Sequence, residues 1–296
     1  MPAMVRLHTP YDGSSPPFHI GVSKLDVSDW IEVDELLAPY LAEKRRLRLA
    51  VPENTFVAEA DTAGAQQEIL NLLVEHLPRQ FPQVYRLEPP LMHIREGLPV
   101  NVQNTDLPPL LTAALLVQED LILMRKGLSG WRLAAGSLSF PSSWQLREKF
   151  GRPMPEIHAS VPGFGVASRA MSVIQRMFDN LPPEQLYLRW NWGFYDDGAL
   201  YHPAPGNGTH QFGVQGEVFL RAERQTLRKL SQSGDILFTI RTHLSPLELL
   251  AQQPNRRELA RALIAQVEAF SEPQLAYKGL TLERDRLLHK LAALAI

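Results

Sequence analysis

WRLAAGSLSFPSSWQLREKFGRPMPEIHASVPG, residues 131–163, opens as a strand and breaks at Phe140-Pro141. It then runs through Ser142, Ser143 and Trp144 into a short helical turn carrying Arg147, Glu148 and Lys149. Gly151, Pro153 and Pro155 stop that turn and lead to His158, just ahead of Val161-Pro162-Gly163. Proline fixes φ, so side chains held in such a loop lose less entropy on ordering. Rigid backbone, hydroxyls, aromatics and one histidine make the stretch a candidate site. The plainer reading is a buried turn whose histidine hydrogen-bonds within the core.

On either side of this loop, strand patterns dominate. Leu111–Gln118 and Leu121–Arg125 read as a hairpin turning at Glu119-Asp120, with 131–140 as a third strand. A helix is expected over 164–180, lined by Val166, Ala170, Ile174, Met177, Phe178 and Leu181 and closed by Pro182-Pro183. In LYLRWNWGF (186–194), Leu186, Leu188, Trp190, Trp192 and Phe194 alternate with Tyr187, Arg189 and Asn191. Residues 196–216 form a loop containing Asp196, Asp197, His202 and His210, and strands resume at 217–224 and 235–244. Short links between neighbouring strands favour antiparallel pairing and an α+β fold.

The flanks are helical. Residues 1–33, rich in Pro, Gly and Ser, read as an extended N-terminal arm laid on the body. Asp34 is positioned to cap a helix over 35–50. Its Lys44, Arg45, Arg46 and Arg48 read as a solvated face near the helix C-terminus. A second helix is expected over 64–79, and the proline-crowded segment 81–110 reads as irregular. Residues 246–252, 256–270 and 281–294 form a C-terminal helical region 246–296, with Leu282 and Leu287 on a buried face. The organisation is thus an arm (1–33) and a single α+β domain (34–296).

Composition narrows the function. With 296 residues, net charge −2 and a pI near 6.5, the chain lacks the basic footprint of a nucleic-acid or anionic-membrane binder. No apolar window reaches spanning length and no signal-type leader opens the chain, so the cytoplasm is the default location. Cysteine is absent, which removes thiolate nucleophiles, disulfides and cysteine-ligated clusters. Neither a glycine-rich nucleotide loop, nor a nucleophile elbow, nor a zinc-protease histidine spacing occurs.

One residue breaks its pattern. In EVFLRAER (217–224), Arg224 shares a face with Val218, Leu220 and Ala222. A lone buried charge is costly, so Arg224 either escapes at a strand end or enters a pocket to hold an anion. Arg189, Asn191 and Tyr187 share the polar face of their own strand, which lines either solvent or a cavity.

Four motifs carry a family resemblance: WRLAAGSLSFPSSWQLREKFG (131–151), EIHASVPGF (156–164), RWNWGFYDDGALYHP (189–203) and LRAERQTLRKLSQSGDILFTIRTHLSPL (220–247). With these motifs in the same order, the chain resembles, over roughly 85–265, the haem-dependent oxidative N-demethylase α-subunit-like family. The resemblance implies a PAS-like antiparallel sheet, with N- and C-terminal helical additions, holding haem b. It implies oxygen-dependent demethylation of a small alkylamine such as dimethylamine. Electrons would come from NADPH through a separate subunit carrying FMN and an iron–sulfur cluster. Formaldehyde would pass to a folate-binding subunit.

His158 is the expected iron ligand, since imidazole is the usual neutral axial donor when no thiolate is present. His243 and His202 stand in reserve. Arg224, Tyr187 and Asn191 are expected on the catalytic side. Arg189, Arg132, Ser142, Trp144 and Lys149 are expected to help hold the cofactor. Departures are modest: Ser160 and Ser231 stand where proline is expected, and Leu138-Ser139 precedes the FPSSW motif. A non-catalytic haem or small-ligand sensor of the same fold is the competing function.

Overall fold

A computed structural model of the chain describes residues 7–183, 185–203, 210–212 and 216–296. The arm contributes β1 (Ser23–Leu25), and α1 (Leu37–Ala50), α2 (Pro52–Thr55), β2 (Phe56–Ala58) and α3 (Ala63–Gln80) follow. Three short strands come next: β3 (Tyr85–Glu88), β4 (Leu91–Ile94) and β5 (Val100–Asn101). After α4 (Pro109–Ala114), a hairpin of β6 (Asp120–Gly127) and β7 (Gly130–Ser137) begins the main sheet. The connection out of β7 holds α5 (Leu146–Lys149), α6 (Met154–Ile157) and α7 (Arg169–Asp179). Long strands β8 (Leu186–Tyr195), β9 (Phe219–Lys229) and β10 (Ile236–Pro246) lead to α8 (Arg256–Glu268), α9 (Glu272–Tyr277) and α10 (Arg284–Leu294).

The main sheet runs β1-β8-β9-β10-β6-β7-β2, with every neighbouring pair antiparallel. Mixed helices and antiparallel sheets make the fold α+β. On one face Leu121, Leu123, Ala135, Leu186 and Leu237 pack under α3, α4 and Trp30. On the other, Ile122, Met124, Leu227, Ile236 and Ile240 pack under the α5–α7 connection through Leu146, Met154, Met171 and Phe178. The C-terminal helices close a third cluster around Trp192, Phe194 and Leu220. Burial of this kind, at about 25 cal/mol per Å² of apolar surface, is the main stabilising term.

Local chemistry explains where the elements start. The Ser168 hydroxyl accepts the Met171 N–H at 3.1 Å and opens α7. The helix therefore begins later than its apolar pattern suggests, and Val166 is exposed. Ser271 and Gln274 close a reciprocal capping box at the start of α9. Leu282, expected on a buried face, precedes α10 and is exposed.

Three expectations need correction. Residues 111–118 are not a strand: Pro109 opens α4, and the β6–β7 hairpin turns at Leu128-Ser129. Glu119 and Asp120 are fully buried, where Asp120 accepts the Ser139 and Phe140 backbone N–H groups at 2.7 and 2.8 Å. The proline-rich 81–110 contains β3–β5, with Pro89-Pro90 at the turn between β3 and β4. Lys44 does not face solvent: its ammonium donates to the carbonyls of Val117, Ala114 and Glu119. Burial lowers its pKa to about 8.

Candidate functional site

The inner strand β9 places polar side chains on both faces, and Leu220–Leu227 is buried throughout. Arg221, Glu223, Arg224, Gln225 and Thr226 must therefore find partners inside the protein. Register sorts them: Asn191 pairs with Glu223 and Arg189 with Gln225, so these four share the face covered by α5–α7. Trp190 pairs with Arg224, and both lie on the opposite face.

Glu223 is the centre of the first group. One oxygen accepts the Ser142 hydroxyl; the other accepts Asn191 Nδ2 at 3.1 Å and Gln225 Nε2 at 2.8 Å. Arg189 donates to Gln225 Oε1 at 2.9 Å, while its buried Nε has no hydrogen-bond partner among the described residues. Arg221 donates to Ser142 Oγ and the Phe140 carbonyl, both at 2.7 Å, and so fixes the FPSSW turn on the sheet. Ser143 in that turn has φ of +62°, an uncommon conformation for a residue with a side chain.

Lys278 reaches the group from beyond α9, donating to Asn191 Oδ1 at 3.2 Å and to the Trp192 carbonyl. Burial lowers its pKa to about 8; Glu223 opposes the shift and Arg189 adds to it. Arg189, Arg221 and Lys278 thus surround a single carboxylate, and the cluster carries an excess of positive charge suited to an anionic group.

His158 ends α6 beside this face. Its Nδ1 lies 2.9 Å from the Met154 carbonyl, and Nε2 has no hydrogen-bond partner among the described residues. Burial lowers its pKa, the Met154 contact opposes that, and Arg189 and Lys149 add to it. A neutral ring with Nδ1–H given to a carbonyl presents an Nε2 lone pair, the arrangement usual in metal-binding histidines. Lys149 donates to the Ile157 carbonyl at 2.6 Å and so ties α5 to the residue before His158. Trp144 and Tyr187 pack against the apolar cluster beneath the same loop.

A family model described as haem-dependent oxidative N-demethylase, alpha subunit-like, matches residues 21–288. The chain belongs to that family. Haem dependence is a group property that the donor set of this N-demethylase-family chain fits: a neutral imidazole, a guanidinium whose buried Nε has no partner among the described residues, and an apolar floor.

Several expected residues lie elsewhere in this family member. Arg224 is on the opposite face, because residues 29–32 cross there: it donates to the Asp29 and Trp30 carbonyls, and its Nε is 3.5 Å from Glu32. Arg132 turns outward on β7 in a two-pronged bond to Glu59 at 2.8 and 2.7 Å. His243 shares the Arg224 face and lies 3.0 Å from Glu32. His202 sits 3.2 Å from Asp197, with its Nε2 out of line for a hydrogen bond. Residues 204–209 and 213–215 of the histidine-bearing loop lie outside the described residues.

Glu223, Arg221, Gln225 and Lys278 were not anticipated. For the first three the signal was present as polar residues alternating along the strand opposite Arg189 and Asn191. Lys278 carried no comparable signal. A separate cleft of about 410 Å³ opens between α3 and the small sheet, lined by Gln67, Asn71, Val74 and Leu107. It contains no titratable side chain and so offers little acid–base chemistry.

Proposed function

We propose that this chain is the haem-carrying subunit of an oxygen-dependent oxidative N-demethylase, and that haem b is held on the Glu223 face with His158 Nε2 as its axial ligand. The observation that carries the reading is the His158–Met154 contact, which leaves Nε2 as the ring's acceptor atom. Arg189 and Lys278 are the cations available to the propionates. An antiparallel sheet with one face covered by the helical segment between β7 and β8 supports a PAS-like description.

Bound haem would supply the activation of dioxygen. The chain's own residues bind and orient. With Arg189 and Lys278 given to the propionates, Glu223 is left as the cluster's carboxylate, and its partner is the ammonium form of a small secondary amine such as dimethylamine. Ser142, Asn191 and Gln225 fix both its oxygens in place. In the overall reaction one oxygen atom of O2 ends in formaldehyde, made from one N-methyl group as its C–N bond breaks and the demethylated amine leaves, while the other oxygen atom takes up two electrons and two protons and leaves as water. The electrons come from a partner subunit carrying FMN and an iron–sulfur cluster, fed by NADPH, and a folate-binding subunit takes the formaldehyde. The cytoplasm is the expected compartment, and among the described residues no helix is long and apolar enough to cross a membrane.

The test supplies reduced, haem-loaded protein with oxygen and a panel of methylated amines, and measures formaldehyde. Release in proportion to one amine, lost in Glu223→Ala, is the expected result. Stable oxygen or carbon monoxide binding without turnover on any amine, with a competent reductase present, would instead indicate a sensor.

A further inference from the structure

The face of the sheet opposite Glu223 carries a second constellation. His8 from the arm, Glu32 from the segment before α1, and His243 from β10 converge there. Glu32 Oε2 lies 3.5 Å from His8 Nε2 and 3.0 Å from His243 Nε2. The two imidazole centroids are 4.3 Å apart, and the Trp190 ring packs against both, at 4.9 and 6.3 Å. Three parts of the chain far apart in sequence thus bring two nitrogens and one carboxylate oxygen to a single point, all mutually within 4.8 Å.

We propose that His8, Glu32 and His243 form a binding site for a divalent transition ion of the zinc type, with water as the fourth ligand. Ligand atoms about 2.0–2.1 Å from zinc and at the tetrahedral angle lie about 3.4 Å from one another, which the two distances to Glu32 bracket. Two imidazoles and one carboxylate are a donor set that zinc takes where one position is left open. The three side chains are partly exposed, so water can enter.

The outer contacts suit the role. Glu32 Oε1 faces Arg224 at 3.5 Å, leaving Oε2 turned toward the histidines. The Glu32 backbone N–H donates to Glu119 at 3.1 Å, fixing where the carboxylate starts. The guanidiniums nearby have partners of their own: Arg224 on backbone carbonyls, Arg241 on Asp34 at 2.7 Å. An ion here would staple the arm to the centre of the sheet. The site stands independently of the haem reading, because the two lie on opposite faces.

The experiment uses the full chain with any affinity tag at the C-terminus, stripped with chelator and titrated with Zn2+ against a chromophoric competitor, with Co2+ as an absorbing substitute. One Zn2+ per chain is expected, with d–d bands for Co2+ and a rise in Tm on Zn2+ addition. Glu32→Gln and His243→Ala should each weaken binding by more than the roughly 10–100-fold that outer-shell changes cost. His158→Ala should leave it unchanged. If the β10 and Glu32 variants do not fold, His8→Ala on the arm decides. Absence of stoichiometric Zn2+ binding, or binding indifferent to these variants, would overturn the site and leave a hydrogen-bonded clasp only.

Discussion

The Nδ1 of His158 lies 2.9 Å from the carbonyl oxygen of Met154, four residues back along the chain. This one contact fixes ring orientation and tautomer together, and it depends on α6, a single turn opened by Pro153. The position is set from a second side by the Lys149 bond to Ile157.

Lys149 and Arg132 should therefore behave differently, although both were candidates on motif grounds. Lys149→Met removes the tie behind His158, so haem affinity should fall and the spectrum become mixed. Arg132→Ala breaks a partly exposed ion pair with Glu59, should cost about 1 kcal/mol, and should leave the spectrum unchanged. Haem titration of the two variants side by side separates these outcomes.

Arg224→Ala should destabilise without touching the haem site. The residue is 3% exposed, hydrogen-bonded to two backbone carbonyls and ion-paired with Glu32, so truncation strands buried acceptors and should cost about 2–4 kcal/mol. Denaturant unfolding should show the loss while the haem spectrum at saturation stays as in the parent. A spectral change of the His158→Ala type would mean that Arg224 acts at the cofactor after all.

Glu223 should matter to both stability and turnover. Glu223→Ala abandons the Ser142, Asn191 and Gln225 donors and leaves three cations without their carboxylate, a loss of about 3 kcal/mol or more. Glu223→Gln keeps the size, so it should fold and raise KM for the amine more than it lowers haem affinity. Equal KM in the Gln variant would remove Glu223 as the amine's partner.

Lys278 gives a pH signature. Its folded-state pKa is lowered to about 8 from 10.5, so between those values the unfolded chain binds more protons than the folded one. Stability from this group therefore increases as pH rises from about 8 to about 10.5. Lys278→Met should lack that increase, a difference on the order of 2 kcal/mol or less. Chemical denaturation at pH 7, 9 and 10 measures it.

Much of the sheet was legible in the sequence because alternation over ten residues, as in β8, has few other solutions. The same alternation put Tyr187, Arg189 and Asn191 on one face correctly. It could not tell which side of β9 carries the polar cluster. Arg224 drew notice as the charged residue in an apolar row, yet Arg221, Glu223 and Gln225 on the other row make the cluster. The partners that decide this are distant: Asp29 and Trp30 for Arg224, Ser142 for Glu223, Lys278 for Asn191. The β3–β5 sheet was obscured because its prolines occupy the turns and ends, where they do not interrupt the ladder.

The most direct measurement of the central claim is the absorption spectrum of haemin-reconstituted protein, parent against His158→Ala, in the ferric and ferrous–carbon monoxide states. The parent should bind one haem per chain with a Soret band typical of nitrogen ligation. His158→Ala should shift that band, and added imidazole should restore it. An identical spectrum in the variant, or no stoichiometric haem uptake by the parent, would contradict the assignment of His158 as the ligand on the Glu223 face.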